Sequence, residues 1–87
     1  MNRAEAENYR FIFKSIKFPG MTIYDADDLR PLYGEMLGTE ISLGDILDLA
    51  KLIEEKYARD GYTTARVLLK GLPSPSGKVK LLVIEKH

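Results

Sequence analysis

Three carboxylates, Asp25, Asp27 and Asp28, form the densest acidic group in the chain, and the chemistry open to such a group is proton transfer or the binding of a hard cation. Their position argues for neither. They precede an apolar run beginning at Leu29, so Asp25 reads as a helix N-cap, Asp28 as its reciprocal partner, and Asp27 as a charge favoured at the positive end of the helix dipole. No acidic cluster has calcium-loop spacing, the single histidine is His87, and cysteine is absent. Zinc ligation and thiolate chemistry therefore lack residues to work with. No nucleophile–base pair, phosphate loop or oxyanion arrangement can be assembled either. The expectation is a non-enzymatic chain with no catalytic residue, cofactor or metal.

A second group, Lys14, Lys17, Arg66, Lys70, Lys78 and Lys80, falls on predicted strands that also carry aromatics, as in a sheet that contacts nucleic acid. The net charge is zero, however, and no RNP-like or GXXG run is present. Ordinary solvated lysines are the simpler reading, and no nucleic acid is expected.

Eighty-seven residues, 45% hydrophobic and 30% charged, make one globular domain that buries only about 60–65% of its unfolded surface. The longest apolar run is far shorter than the roughly 18 residues of a spanning helix, and the N-terminus has no secretory-signal core. No direct membrane insertion is expected, and both a cytosolic chain and a fragment of a longer exported one remain open. The charge is divided: residues 25–60 hold ten acidic and four basic side chains, and the remainder holds three acidic and nine basic. An acidic helical middle is flanked by basic strands.

Ser42 to Tyr62 reads as the principal helix. Ser42 is the N-cap with Asp45 reciprocating, Ile41 and Ile46 form a hydrophobic staple, and Leu43, Ile46, Leu47, Ala50, Ile53 and Tyr57 recur at helical spacing as one apolar stripe. Gly61 marks the C-terminal stop. Before it, residues 1–8 are polar without apolar periodicity and are read as a flexible segment. Tyr9–Phe18 is a strand whose alternation changes phase near Lys14 and Ser15, where a bulge is expected. Tyr24–Gly38 holds a shorter helix, which Pro31 requires to be short, kinked or begun after Ala26. A three-residue link, 39–41, then makes the two helices an antiparallel hairpin. Thr63–Lys70 and Lys78–Glu85 are strands joined by the turn LPSPSG.

The expected class is therefore α+β with the order β-α-α-β-β. Strand directions place the last and most apolar strand at the centre, giving a mixed three-stranded sheet in the order first–last–second with two antiparallel helices on one face. Leu68, with Leu82 and Ile84 or their neighbours, would form a modest apolar patch on the bare face.

These residues together resemble the POTRA (polypeptide-transport-associated) domain, in particular the variety in the outer-membrane transporters of two-partner secretion. The resemblance runs from about residue 11 to 85, within a single domain taken as residues 9–87. It rests on Phe11, Ile16, Phe18, Gly20, Thr22 and Tyr24, on Leu29, Gly38, Ile41 and Ser42, on Tyr57, Gly61 and Tyr62, and on Ala65, Arg66, Val67, Pro73, Gly77, Val79, Leu81, Val83 and Glu85. Lys86 stands where the family commonly has glycine.

The resemblance implies a periplasmic module of an outer-membrane protein, monomeric in isolation, that recognises an exported polypeptide or docks a neighbouring POTRA or barrel domain. An edge strand provides the physical means, because an extended segment can add to its unpaired N–H and C=O groups. The edge would be Ala65, Arg66, Val67, Leu68, Leu69 and Lys70, about six residues and roughly 20 Å of pairing, with Tyr62 beside it. Arg66 and Lys70 could equally protect that edge from pairing. A groove between this strand and the long helix, lined by Tyr57, Tyr62 and Val67, is a further reading, although Tyr57 belongs with the core. The alternatives are a structural or engineered stand-alone domain that binds no client, and a nucleic-acid-binding domain.

Overall fold

A computed structural model describes residues 2–85; Lys86 and His87, both invoked above, lie outside the described residues. The longest element is α3 (Leu43–Arg59), and both of its ends form as local chemistry requires. The Ser42 hydroxyl accepts from the Asp45 N–H at 3.2 Å while the Asp45 carboxylate accepts from the Ser42 N–H at 2.9 Å. At the other end Gly61 adopts φ +96°, the Tyr62 N–H donates to the Tyr57 carbonyl and the Gly61 N–H to the Ala58 carbonyl, the paired bonds of a Schellman motif. The buried stripe comprises Leu43, Ile46, Leu49, Ala50, Ile53 and Tyr57. Leu47 is a correction: it stands 36% exposed at the stripe's margin, and Leu49 is buried on it.

The N-terminal stretch contains α1 (Arg3–Asn8), which the sequence reading did not place. The Asn2 side chain caps it at 2.9 Å, Ala6 is fully buried, and the Arg3 guanidinium grips the Asp48 carboxylate on α3 through its two terminal nitrogens at 2.9 and 3.0 Å. One buried alanine leaves no periodicity to detect, so the helix is set by its Asn2 cap and its contacts with α3 and β3.

The expected first strand is two strands. β1 (Arg10–Ile12) pairs antiparallel with β3 (Glu40–Ser42), an element that occupies what was read as a bare link between helices. β2 (Ser15–Lys17) pairs parallel with β5 (Lys78–Ile84), and β4 (Arg66–Leu69) pairs antiparallel with β5 on its other side. The exchange of partners occurs at the expected phase change. The Phe13 N–H still donates to the Thr39 carbonyl, whereas the Lys14 and Ser15 N–H groups both donate to the Gly77 carbonyl. A strand that changes partner must rotate its pleat, so the interrupted alternation is the sequence trace of a transfer between sheets, not of a bulge within one.

The α+β class and the mixed sheet hold, while the arrangement differs from the expectation in its added ribbon and in its helices. α2 (Ala26–Tyr33) starts at Ala26 despite Pro31, held by a reciprocal Asp25–Asp28 cap with both bonds at 3.0 Å, and tightens into a 3-10 turn over Gly34–Met36. It packs on α3, as does α1, and α3 packs on β4. Val67, Val79, Leu81 and Val83 are buried on the helical side of the sheet with Phe13, Leu29 and Tyr57. By register, the opposite side carries Arg66 and Leu68 beside Ile84 and Leu82, with Lys78 and Lys80 further along.

Candidate functional site

β4 is an outer strand of its sheet, and the ladder determines which of its groups face outward. The Lys70 N–H donates to the Lys80 carbonyl at 2.9 Å, one step beyond the Leu69–Leu81 register pair. Because antiparallel residues alternate in the direction of their hydrogen bonds, Arg66, Leu68 and Lys70 address β5, and Val67 and Leu69 present N–H and C=O to the open side. The strand has four residues, fewer than the six expected, and so offers about 13 Å of pairing length.

Side chains alternate as the pattern requires. Ala65 and Val67 are buried at 2% and 5% exposure and Leu69 is half-buried, while Arg66, Leu68 and Lys70 are exposed. Thr63 and Thr64 belong to the preceding turn, in which the Ala65 N–H donates to the Tyr62 carbonyl. Lys17, Lys70, Lys78 and Lys80 are exposed on the strands of the sheet and its flank, and Lys14 sits in the break between β1 and β2.

Along the open side of β4 runs a groove walled by α3. Its middle is a cavity of about 330 Å³ lined by Leu47, Lys51 and Glu54 from the helix and Val67, Leu68 and Leu69 from the strand. It continues toward Ala58 and Ala65 at one end and toward Leu43 and Leu72 at the other. The groove expected from sequence thus exists, but with other walls. Tyr57 is fully buried, and Tyr62 is half-buried with its ring edge-on to Tyr57 at 6.1 Å. Asp48, at the groove rim, is held below its ordinary carboxylate range chiefly by its hydrogen bonds to Arg3.

The edge is partly capped by two side chains. The Glu54 carboxylate accepts the outward Val67 N–H at 2.8 Å, and the Arg66 guanidinium donates to the Ala65 carbonyl at 2.8 Å. No sequence signal marks Glu54, whose contact depends on where α3 crosses the strand.

A second constellation was also missed. The Glu85 carboxylate, at the end of β5, accepts from the Thr22 N–H at 2.9 Å, the Thr22 hydroxyl at 2.6 Å, the Ile23 N–H at 2.9 Å and the Tyr57 hydroxyl at 2.5 Å. Burial alone would raise this carboxyl, but the hydrogen bonds from Thr22, Tyr57 and Ile23 outweigh it and bring the pKa down to about 2. Tyr57 is raised in turn, first by burial and then by its hydrogen bond to Glu85. Tyr24 stacks edge-on against Tyr57 at 4.7 Å and donates its hydroxyl to Asp60. Burial, followed by Asp60, pushes the Tyr24 hydroxyl up to about 12. With four donors converging on one carboxylate, the group acts as a clamp joining the loop after β2, the end of β5 and the end of α3. The resemblance picks out Thr22, Tyr24, Tyr57 and Glu85 one by one, yet nothing in their spacing joins them.

The architecture is that of a small α+β domain with a mixed sheet, one outer strand of which lies beside the principal helix. The model of the ShlB-type POTRA domain matches residues 11–86, and the chain belongs to that family, the POTRA type of two-partner secretion. No curated protein sequence matches it.

Solved structures share the fold. CdiB from Escherichia coli superposes with a TM-score of 0.78 at 21% identity over 98% of this chain. The N-terminal domain of Omp85 from the thermophilic cyanobacterium Thermosynechococcus elongatus gives 0.71 at 20% identity over 83% of this chain and 31% of its own. POTRA4 of BamA from Haemophilus influenzae gives 0.62 at 22% identity over 91% of this chain and 93% of its own. The chain spans 16% of the CdiB chain, the length of one module in a larger protein.

Proposed function

We propose that this domain serves polypeptide transport across the bacterial outer membrane from the periplasmic side, as a non-enzymatic module that docks an extended segment of an exported protein, or of a neighbouring domain, along β4. The observation that carries the reading is the outward Leu69 backbone, which has no bond to β5 and lies against an apolar stretch of groove formed by Leu43, Leu47 and Leu72. A strand added there gains main-chain hydrogen bonds, and its alternate side chains meet Val67 and Leu69 inward or Leu68, Arg66 and Lys70 outward. Arg66 and Lys70 favour acidic flanks in the docked segment.

Titrating isotope-labelled domain with an extended client peptide tests this. Amide shifts should centre on Val67 and Leu69 and continue to Leu47 and Lys51. Shifts confined to the acidic residues of α2, or no shifts, would reject the reading. Leu69→Pro removes an outward donor without breaking a β5 hydrogen bond and should weaken docking by about fivefold, with unfolding stability measured alongside.

The caps on Val67 and Ala65 favour a second reading, in which the edge is closed to all pairing and the module only orients its neighbours. Under that reading the peptide leaves every β4 amide unshifted.

A further inference from the structure

The outward Val67 N–H is the only β4 edge donor, among the described residues, with a side-chain acceptor in the structure. Glu54 supplies that acceptor from α3, thirteen residues away in sequence, and its carboxylate oxygen lies 2.8 Å from the Val67 nitrogen. That is the place a docked strand's carbonyl would take. Two residues further along the strand, Leu69 lines both the middle cavity and the apolar end of the groove beside Leu43, Leu47 and Leu72, and among the described residues no side chain accepts from its outward N–H. The edge is therefore occupied at its first half and open at its second.

We infer that Glu54 is a displaceable latch on the docking edge, a side-chain stand-in for the client backbone that an incoming strand must expel from the Val67 N–H before it can pair along the whole of β4. This rests on the docking reading above. Pairing starts at Leu69, where nothing has to be removed, and advances to Val67 as one client carbonyl replaces one carboxylate oxygen. The exchange conserves the number of hydrogen bonds to Val67, and its cost is the Glu54 bond that must first be broken. A segment too short or too irregular to reach Val67 gains only the open half. The latch so favours regular extended chain over transient contacts, and it keeps the unoccupied edge from pairing with a second copy of the domain.

Glu54 variants and a blocked heptapeptide of alternating valine and threonine provide the test, with affinity read from amide shifts of the full chain. Glu54→Ala removes the competitor and should tighten binding by about three- to tenfold, the range of one net hydrogen bond. Glu54→Gln retains an oxygen acceptor for the Val67 N–H and should stay within about twofold of the parent chain. In the free domain, the Val67 amide should exchange with solvent more slowly than that of Leu69, and the alanine variant should abolish the difference.

An alanine variant that binds the peptide no more tightly, while Val67 and Leu69 still shift, would overturn the latch and leave the docking reading standing. Equal tightening in both variants would overturn it too, since removal of the charge would then be the cause. Absence of β4 shifts in every variant would overturn both.

Discussion

Gly77→Ala is expected to destabilise the domain by about 4 kcal/mol, enough to leave much of a chain this small unfolded. Two costs coincide at this position. The residue has φ +79°, and a Cβ built there would sit 2.0 Å from the Ile12 carbonyl oxygen and 2.9 Å from the Lys14 side chain. The obstruction at Ile12 is backbone and cannot swing aside. It also falls where the first strand leaves β3 for β5, with Gly77 supplying the carbonyl that receives both the Lys14 and Ser15 N–H groups.

Gly61→Ala is the matched control, having φ +96° with nothing within 4 Å of a new Cβ, and should cost only about 1 kcal/mol. Urea unfolding of the two variants separates strain in the backbone from steric overlap. Equal losses would show that the close approach at Ile12 has no energetic weight.

Glu85→Ala should cost about 2 kcal/mol, from the loss of a carboxylate that satisfies Thr22, Ile23 and Tyr57 together, after discounting for the solvent that reaches this partly exposed group. The same contacts make a prediction about acid. The Glu85 carboxyl stands at about 2 in the fold against an ordinary 4.5, so the unfolded chain binds its proton first. Its contribution is complete above pH 4.5 and is lost as the pH falls from there toward 2. Glu85→Gln has no such proton to bind, and its stability should decline less steeply over that interval. Parallel pH profiles for the parent chain and the glutamine variant would show that the clamp carries no charge-dependent stability. Since Glu85 does not line the groove beside β4, peptide docking by folded protein should survive either change.

Sequence alone determined the features whose partners lie within one helical turn or one strand. The caps at Asp25–Asp28 and Ser42–Asp45, the glycine stop after α3 and the alternation of Ala65, Val67 and Leu69 all arise between residues at most five apart, so their pattern is written locally. The resemblance to POTRA domains followed because the order of those local features along the chain is itself characteristic. Even the partner exchange of the first strand left a local mark, a broken alternation, although the mark could not say that β3 and β5 were the two partners.

Tertiary structure decided what depends on residues far apart. α1 acquires its place by closing on α3 and β3, the Glu85 clamp spans 63 residues back to Thr22, and the groove takes its walls from whichever side chains α3 turns toward β4. Glu54 shows the difference most directly. On the helix it is one acidic residue among several, with no spacing or neighbour to distinguish it, and it becomes a backbone acceptor only because packing of the buried stripe sets the rotation of α3 against the strand. Hydrogen bonds of that kind are consequences of how two elements dock, and docking is a property of the whole core.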